Sequence, residues 1–342
     1  MKPLPLSAIF SQFYREAKKT KLCFHPEAEE KCSSVFSAAH TIQKRTGLAV
    51  LAEQNHILSG RNDDPRDISG GLTSIGINLA STFYGFCSHH DSETFKPAET
   101  AKEPNRNVAF LLSYRALSFE IYMKMVAIKT LEFARDHIDR GLEFEQQCES
   151  QQEIAAGIFG LSLGYDEHRR FKRDWDTSLL NGDFSSLEWS FIQFDGLLPI
   201  STSGVFLPEY DFQGRNLQSL DAPAGSLAMM GFNILPINGK TCAIFGWIDA
   251  KEPNRDFISS LHQVPDHQLA SVLIQFGFDT SENLFVKPSW WEGLDARRRT
   301  YLERNLRSSI PGSKWSRGLM PQQPTLLELP IISRRTWSSE TQ

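Results

Sequence analysis

Nowhere in this 342-residue chain does an apolar run approach the ~20 uninterrupted residues of a membrane helix, so a helical span is not expected. The opening Met1-Lys2-Pro3-Leu4-Pro5-Leu6 is short, broken by prolines and not followed by a small-residue cleavage site, which makes it a poor secretory signal. Cysteine is scarce and odd in number, five residues that are not spread as a disulfide framework. Reduced thiols and a cytoplasmic location are the expectation. A net charge of −5 gives no global electrostatic reason to bind nucleic acid. The chain also lacks a phosphate-binding glycine loop, a dinucleotide fingerprint and a G-x-S-x-G nucleophile turn; Gly70-Gly71 and Gly225 read as turns. There is no internal repeat. What remains is an ordinary globular composition, 40% hydrophobic and 23% charged, in a chain long enough for about two domains.

Against that background the distribution of cysteine and histidine is uneven. Three of the five cysteines and five of the nine histidines fall in the first 91 residues. They form two knots: Cys23-Phe24-His25 with Cys32 and His40, then Phe86-Cys87-Ser88-His89-His90-Asp91. Deprotonated Cys and neutral His are the side chains that bind zinc, and four of them close a tetrahedral structural site. The best quartet is Cys23, Cys32, Cys87 and His90. Cys87-x-x-His90 has the spacing that lets two side chains grip one ion, whereas Cys23 and Cys32 have eight residues between them. His25 is an alternative to Cys23 or Cys32, and His89 an alternative to His90.

Periodicity suggests an α+β chain in three parts: a treble-clef-like zinc module (1–103), a helical middle (104–182) and a mixed α/β C-terminal portion (183–342). In the first part the pattern predicts a helix over 7–20, helical character over 41–54, a strand at His56-Ile57-Leu58, a loop over 61–71, a strand over 74–86 and a short helix from Asp91 to Lys96-Pro97. The middle carries a helix over 108–138, apolar nearly all round in its first half, and a more polar one over 151–180. Beyond it, strands are expected over 188–198, 226–237 and 240–248, the last two joined by the hairpin dipeptide Asn238-Gly239. Helices over 266–277 and 295–307 precede a Pro/Ser-rich tail.

The segment Ala39-His40-Thr41-Ile42, placed between the two knots, resembles the first motif histidine of the HNH (ββα-metal) endonucleases. Cys23 and Cys32 resemble that family's first zinc knuckle, and Cys87-x-x-His90 its second. Asp91 lies where the family places a metal-binding His or Asn. The resemblance implies that His40 is a general base taking a proton from water. It also implies that Asp91 helps to hold Mg²⁺ or Mn²⁺ against the charged phosphorane, with Zn²⁺ purely structural. The central family Asn would be Asn55, Asn62 or Asn78. A wider pattern, Cys23 to Pro26, Ala39 to Gln43, Ala80 to Asp91, Phe95 to Pro97, Glu282 to Phe285 and Trp290-Trp291, is similar to a group of bacterial proteins of about this length that resemble accessory or defence proteins.

Two functions follow as expectations. One is a metal-dependent HNH-like nuclease acting on DNA or RNA; the other is a non-catalytic zinc module that binds nucleic acid or a protein partner. Two basic stretches bear on both: residues 1–21 carry five Lys/Arg against one acid, and residues 294–317 seven against two. On the 295–307 helix, Arg297, Arg304 and Arg307 share a side opposite Leu302 and Leu306, a face suited to phosphates, although plain solvation also accounts for it. Trp290-Trp291 reads mainly as core, His56 as a turn residue, and Arg115 and Glu120 as paired or solvated.

Overall fold

The computed structural model describes residues 6–60, 71–220, 225–308 and 324–336. The chain begins with α1 (Leu6–Ala17), the single turn α2 (Ala28–Lys31), β1 (Ala39–His40), a π-helical turn at Lys44–Leu48, β2 (His56–Ser59), β3 (Thr73–Gly76), β4 (Thr82–Phe83) and α3 (Ser88–Glu99). Two long helices follow, α4 (Arg106–Arg135) and α5 (Phe144–Asn181). The remainder runs β5 (Glu188–Phe194), β6 (Ile200–Phe206), β7 (Met230–Ile237), β8 (Lys240–Trp247), α6 (Glu252–His262), α7 (Asp266–Thr280), β9 (Leu284–Val286), α8 (Pro288–Gly293), α9 (Ala296–Ser308) and β10 (Ile331–Arg335). No helix among the described residues is long and apolar enough to cross a membrane.

Eight strands form one antiparallel sheet in the order β10-β5-β8-β7-β6-β9-β2-β3. Its centre is the β7–β8 hairpin, where Asn238 (φ 50°) and Gly239 (φ 76°) both take the left-handed conformation that a two-residue turn requires. Helices cover both faces. On one, Leu235, Ile237, Cys242 and Ile244 share a core with α4. On the other, Ile234, Phe245 and Trp247 share a core with Phe257 of α6 and Leu273 and Phe276 of α7. Every residue of β7 is therefore buried, and the hairpin strands read as nearly continuous apolar runs rather than as an alternation.

α4 explains its own sequence. It lies against the sheet, α1, α3 and α5 at once, so its N-terminal half buries almost every side chain. Asn105 caps it by accepting from the Val108 amide at 3.0 Å. Its closest approach to the sheet is made at Ser113, which faces Gly231 and Gly246; a Cβ on Gly231 would lie 2.6 Å from the Ser113 Cβ. Gly231→Ala is expected to push α4 off the sheet and to cost ~1–3 kcal/mol, read as a fall in the denaturation midpoint at unchanged m-value.

Several local expectations are corrected. The 41–54 stretch holds only the turn at Lys44–Leu48, because Gly47 packs on Ile42 and the left-handed Gln54 and Asn55 (φ 50° and 62°) turn the chain into β2. The 74–86 strand is two strands, β3 and β4, separated by a turn that ends at Ser81 (φ 59°). α3 starts three residues before Asp91, with Cys87 at its N-cap, and it continues past Pro97 to Glu99. The tail contains the edge strand β10. The 61–70 loop lies outside the described residues. The α+β class with a helical middle describes the chain, and β2 and β3 join the main sheet through β9, with Leu58 opposite Val286.

Candidate metal centre

Three separate stretches of backbone bring four donors together. Leu22 to Phe24 runs beside Tyr84 and Gly85, bonded through Leu22 N–H to Tyr84 O (3.0 Å) and Phe24 N–H to Gly85 O (2.9 Å), which sets Cys23. Gly85 permits this approach: a Cβ there would lie 2.2 Å from the Phe83 ring and 3.1 Å from the Phe24 ring. Cys32 closes the one-turn helix α2. Cys87 is the N-cap of α3 and His90 lies in that helix's first turn, the His90 amide pointing at the Cys87 sulfur at 3.5 Å. The C-x-x-H spacing is thus the N-cap-to-N3 spacing of a helix, which puts both side chains on one side of its N-terminus. The Ser88 amide donates to Val35 O at 2.9 Å and ties the Cys32 loop to the same point.

One ring nitrogen faces three sulfurs. His90 Nδ1 lies 3.3 Å from Cys23 Sγ, 3.3 Å from Cys87 Sγ and 3.7 Å from Cys32 Sγ, and all four donor atoms fall within 4.8 Å of one another. A single imidazole nitrogen cannot hydrogen-bond three thiols together. A tetrahedral zinc with Zn–S near 2.3 Å and Zn–N near 2.05 Å separates its S and N ligands by about 3.6 Å. The donor set, its chemistry and its spacing therefore fit Zn²⁺, and a Cys₃His cluster of this form can serve as a structural metal site.

The electrostatics fit as well. Burial pushes the Cys32 thiol up to about 12, helped by Cys23 and Cys87 crowding it, a repulsion that a dication reverses. Burial also raises Cys87, but the amides of His90 and Ser33 outweigh it and bring the thiol to about 7. Burial, then neighbouring His89, keeps His90 below its ordinary value and so in the neutral form that ligates metal. His25 is lowered to about 4 by burial and by His90, on which its ring stacks at 3.9 Å. His25, Glu27 and His90 make a second, overlapping group that could hold a metal ion. His89 belongs to neither group.

His40 and Asp91 lie differently. His40 sits in β1, opposite Thr82 of β4, with its Nε2 buried and without a hydrogen-bond partner. Burial holds its pKa down, and Ile77 backbone, Lys44, Arg115 and Asp91 are its electrostatic neighbours. Asp91 Oδ1 accepts from Arg115 Nη2 at 2.9 Å, and the same guanidinium bonds Glu99 at 3.0 Å and lies 4.0 Å over the Phe95 ring. Neither His40 nor Asp91 belongs to a group that could hold a metal among the described residues. Asn55 and Asn78 are exposed, and Asn62 lies outside the described residues.

Elsewhere, His56 is the exposed first residue of β2, with its Nδ1 3.0 Å from Gln54 O. Trp290 and Trp291 pack against the α6–α7 core, Trp291 stacked on Phe278. On α9, Arg297 and Arg304 are exposed opposite the buried Leu302 and Leu306, and Arg298 and Arg299 are tied to Asp295 and to the Leu294 and Glu292 carbonyls. The fold also sets the basic run His168-Arg169-Arg170-Phe171-Lys172-Arg173 of α5, inconspicuous in sequence among acidic neighbours, beside Cys23. Its signal was the Arg169/Arg173 pair at i,i+4.

Comparison with protein-family models, with curated proteins and with solved structures finds no match to this chain. The likeness to HNH nucleases therefore rests on the motif residues alone.

Proposed function

We propose that this protein is a zinc-organised, non-catalytic binding module for nucleic acid, in which Cys23, Cys32, Cys87 and His90 hold Zn²⁺ as a structural clamp. The observation that carries this reading is the convergence of those four donors from three chain segments on one point. The ion's contribution there is cohesion, since four protein ligands close its coordination. The partner is argued from charge: Arg169 and Arg173 project, exposed, next to the Cys23 segment in a chain whose net charge is otherwise negative.

Elemental analysis is expected to give one zinc per chain. Binding to a labelled 20-nucleotide single strand is expected to weaken steeply with salt, as phosphate contacts demand. Zinc near zero, or no binding at low salt, would refute the reading.

A second reading, the HNH-like nuclease with a treble-clef core, is favoured by one feature, the unpartnered Nε2 of His40 within electrostatic reach of Asp91. In it His40 is the base, and Asp91 a ligand of Mg²⁺ or Mn²⁺. It ranks second because the Asp91 carboxylate is already engaged by Arg115, whose side chain is 3% exposed. Cleavage of plasmid or RNA with Mn²⁺ that disappears in His40→Ala, at full zinc content, would put this reading first.

A further inference from the structure

Beside the metal cluster, between the Leu22–Pro26 segment and the outer side of α5, lies a cavity of about 330 Å³. That is the lower end of the range for small-molecule sites, ~300–1,000 Å³. Its floor is a closed polar network. Lys172, 6% exposed, donates to Phe24 O at 2.6 Å, to Tyr114 Oη at 2.8 Å and to Asp176, while Tyr114 Oη donates to Asp176 Oδ1 at 2.7 Å. The charges of Lys172 and Asp176 cancel there, and all three ammonium protons are used.

The rim is not balanced. Arg169 and Arg173 stand one helical turn apart, and among the described residues the side-chain contact of this pair is Arg169 with Tyr165, Nη1 to Oη at 3.2 Å and the guanidinium 5.8 Å from the ring. The neighbouring Arg170, by contrast, is paired with Glu167 at 3.2 Å. Like charges at i,i+4 repel, so an anion between the two guanidinium groups relieves the helix as well as binding to it. Two guanidinium forks without a carboxylate partner among the described residues match the charge and the oxygen geometry of a phosphate dianion. The Leu22–Pro26 side of the cavity is mixed, with Leu22, Phe24 and Pro26 beside Cys23 and His25, and together with Tyr165 of α5 it offers the apolar and ring surface against which a flat ring can pack.

The geometry points to a binding site for a phosphate monoester bearing one planar base, a single nucleotide unit, held by Arg169 and Arg173 through its phosphate. Such a unit is either a free nucleoside monophosphate or the phosphorylated end of a strand. This deepens the nucleic-acid reading and rests on it only for the second source. Because the Cys23 segment forms one wall, metal loading and ligand binding are coupled: chelation opens the wall and weakens the ligand.

The test is calorimetric titration of the zinc-loaded full chain with adenosine monophosphate and with adenosine, and of two labelled oligonucleotides that differ only in a 5′ phosphate. The monophosphate is expected to bind at least about tenfold tighter than the nucleoside. Arg173→Glu should abolish that preference while zinc content and unfolding midpoint stay at wild-type values, and Arg169→Gln should weaken it. Preference for the 5′-phosphorylated strand assigns the site to strand ends. Binding of the monophosphate with neither strand bound assigns it to free nucleotides and removes the nucleic-acid reading alone. No phosphate preference, or a preference unchanged in Arg173→Glu, overturns the site, even if both strands bind.

Discussion

Removing zinc by chelation, or replacing Cys87 by Ser, is expected to lower thermal stability by several kcal/mol and to do so locally, with the N-terminal segments melting before the sheet. A site filled at a free metal concentration 1,000 times its dissociation constant contributes about 4 kcal/mol. The local character follows from what else holds the region. The segments bearing Cys23, Cys32 and Cys87 are joined to each other by the amide bonds Leu22–Tyr84, Phe24–Gly85 and Ser88–Val35 and the His89 amide to Ser33 Oγ, and reach the rest of the chain through Phe24, Phe86 and Phe95 on the α4 core. Among the described residues, the core of α6, α7 and the sheet face beneath them contains none from this region other than the partly buried Leu58 and Leu72. Cys87 is fully buried at the head of α3, so its hydroxyl replacement leaves three donors around a polar group that no longer closes the site. Hydrogen exchange should show residues 22–38 and 87–99 losing protection on chelation while 230–247 keeps it. Cys148→Ser is the control: Cys148 is exposed on α5 and outside the donor group, so zinc content and melting should not change. Identical melting with and without chelator, at measured zinc loss, would show that the ion does not clamp these segments.

How much of this was legible beforehand depends on the range over which each signal acts. The long helices, the Asn238-Gly239 hairpin and the quartet Cys23/Cys32/Cys87/His90 are written in local spacing or in rare residue types. Spacing speaks for itself where the geometry is local, as in the Cys-x-x-His that becomes an N-cap and N3 pair. The eight-residue gap between Cys23 and Cys32 looked too wide for a knuckle, and the structure bridges it with the one-turn helix α2. What was not legible is non-local. β2 and β3 pair into a sheet whose next strand, β9, lies more than 200 residues further on. β6 is polar for a core strand, Ile200-Ser201-Thr202-Ser203, and becomes central only because both of its faces are covered. Charge is hard to read from the sequence for a related reason. The basic stretches at 1–21 and 294–317 stood out by density, whereas the pair that borders the metal cluster, Arg169 and Arg173, is diluted in sequence by Glu and Asp neighbours. Only the fold shows that one of those acids, Asp176, is spent on Lys172.

That ion pair carries the other large effect: Asp176→Ala is expected to cost more than Lys172→Met, and the double change to Lys172→Met/Asp176→Leu to recover much of the loss. The Lys172 side chain is 7% exposed and that of Asp176 26%, so truncating the acid strands a buried charge, whereas truncating the lysine leaves a carboxylate with Tyr114 and partial access to water. Breaking buried pairs by removing one partner costs ~3–5 kcal/mol, and the partial exposure of Asp176 discounts this to about 2–3 kcal/mol. The pH dependence identifies the cause. Burial holds the Lys172 pKa below its ordinary 10.5, and Asp176 is the first group that opposes the shift. Without Asp176 the folded-state value drops further, so the folded protein releases the proton at a pH where the unfolded chain still keeps it. A depressed lysine destabilises fully below its folded pKa, and stability returns as pH rises toward the unfolded value. The Asp176→Ala deficit should therefore be larger at pH 6 than at pH 9, measured by denaturant unfolding at both. A deficit independent of pH would mean that lost packing, and not a stranded ammonium, is responsible. The same variant should weaken zinc retention, because Lys172 bonds the Phe24 carbonyl, one residue beyond the Cys23 ligand. If competition with a chromogenic chelator shows equal zinc affinity in Asp176→Ala and wild type, the network stabilises α5 against α4 without positioning the metal centre.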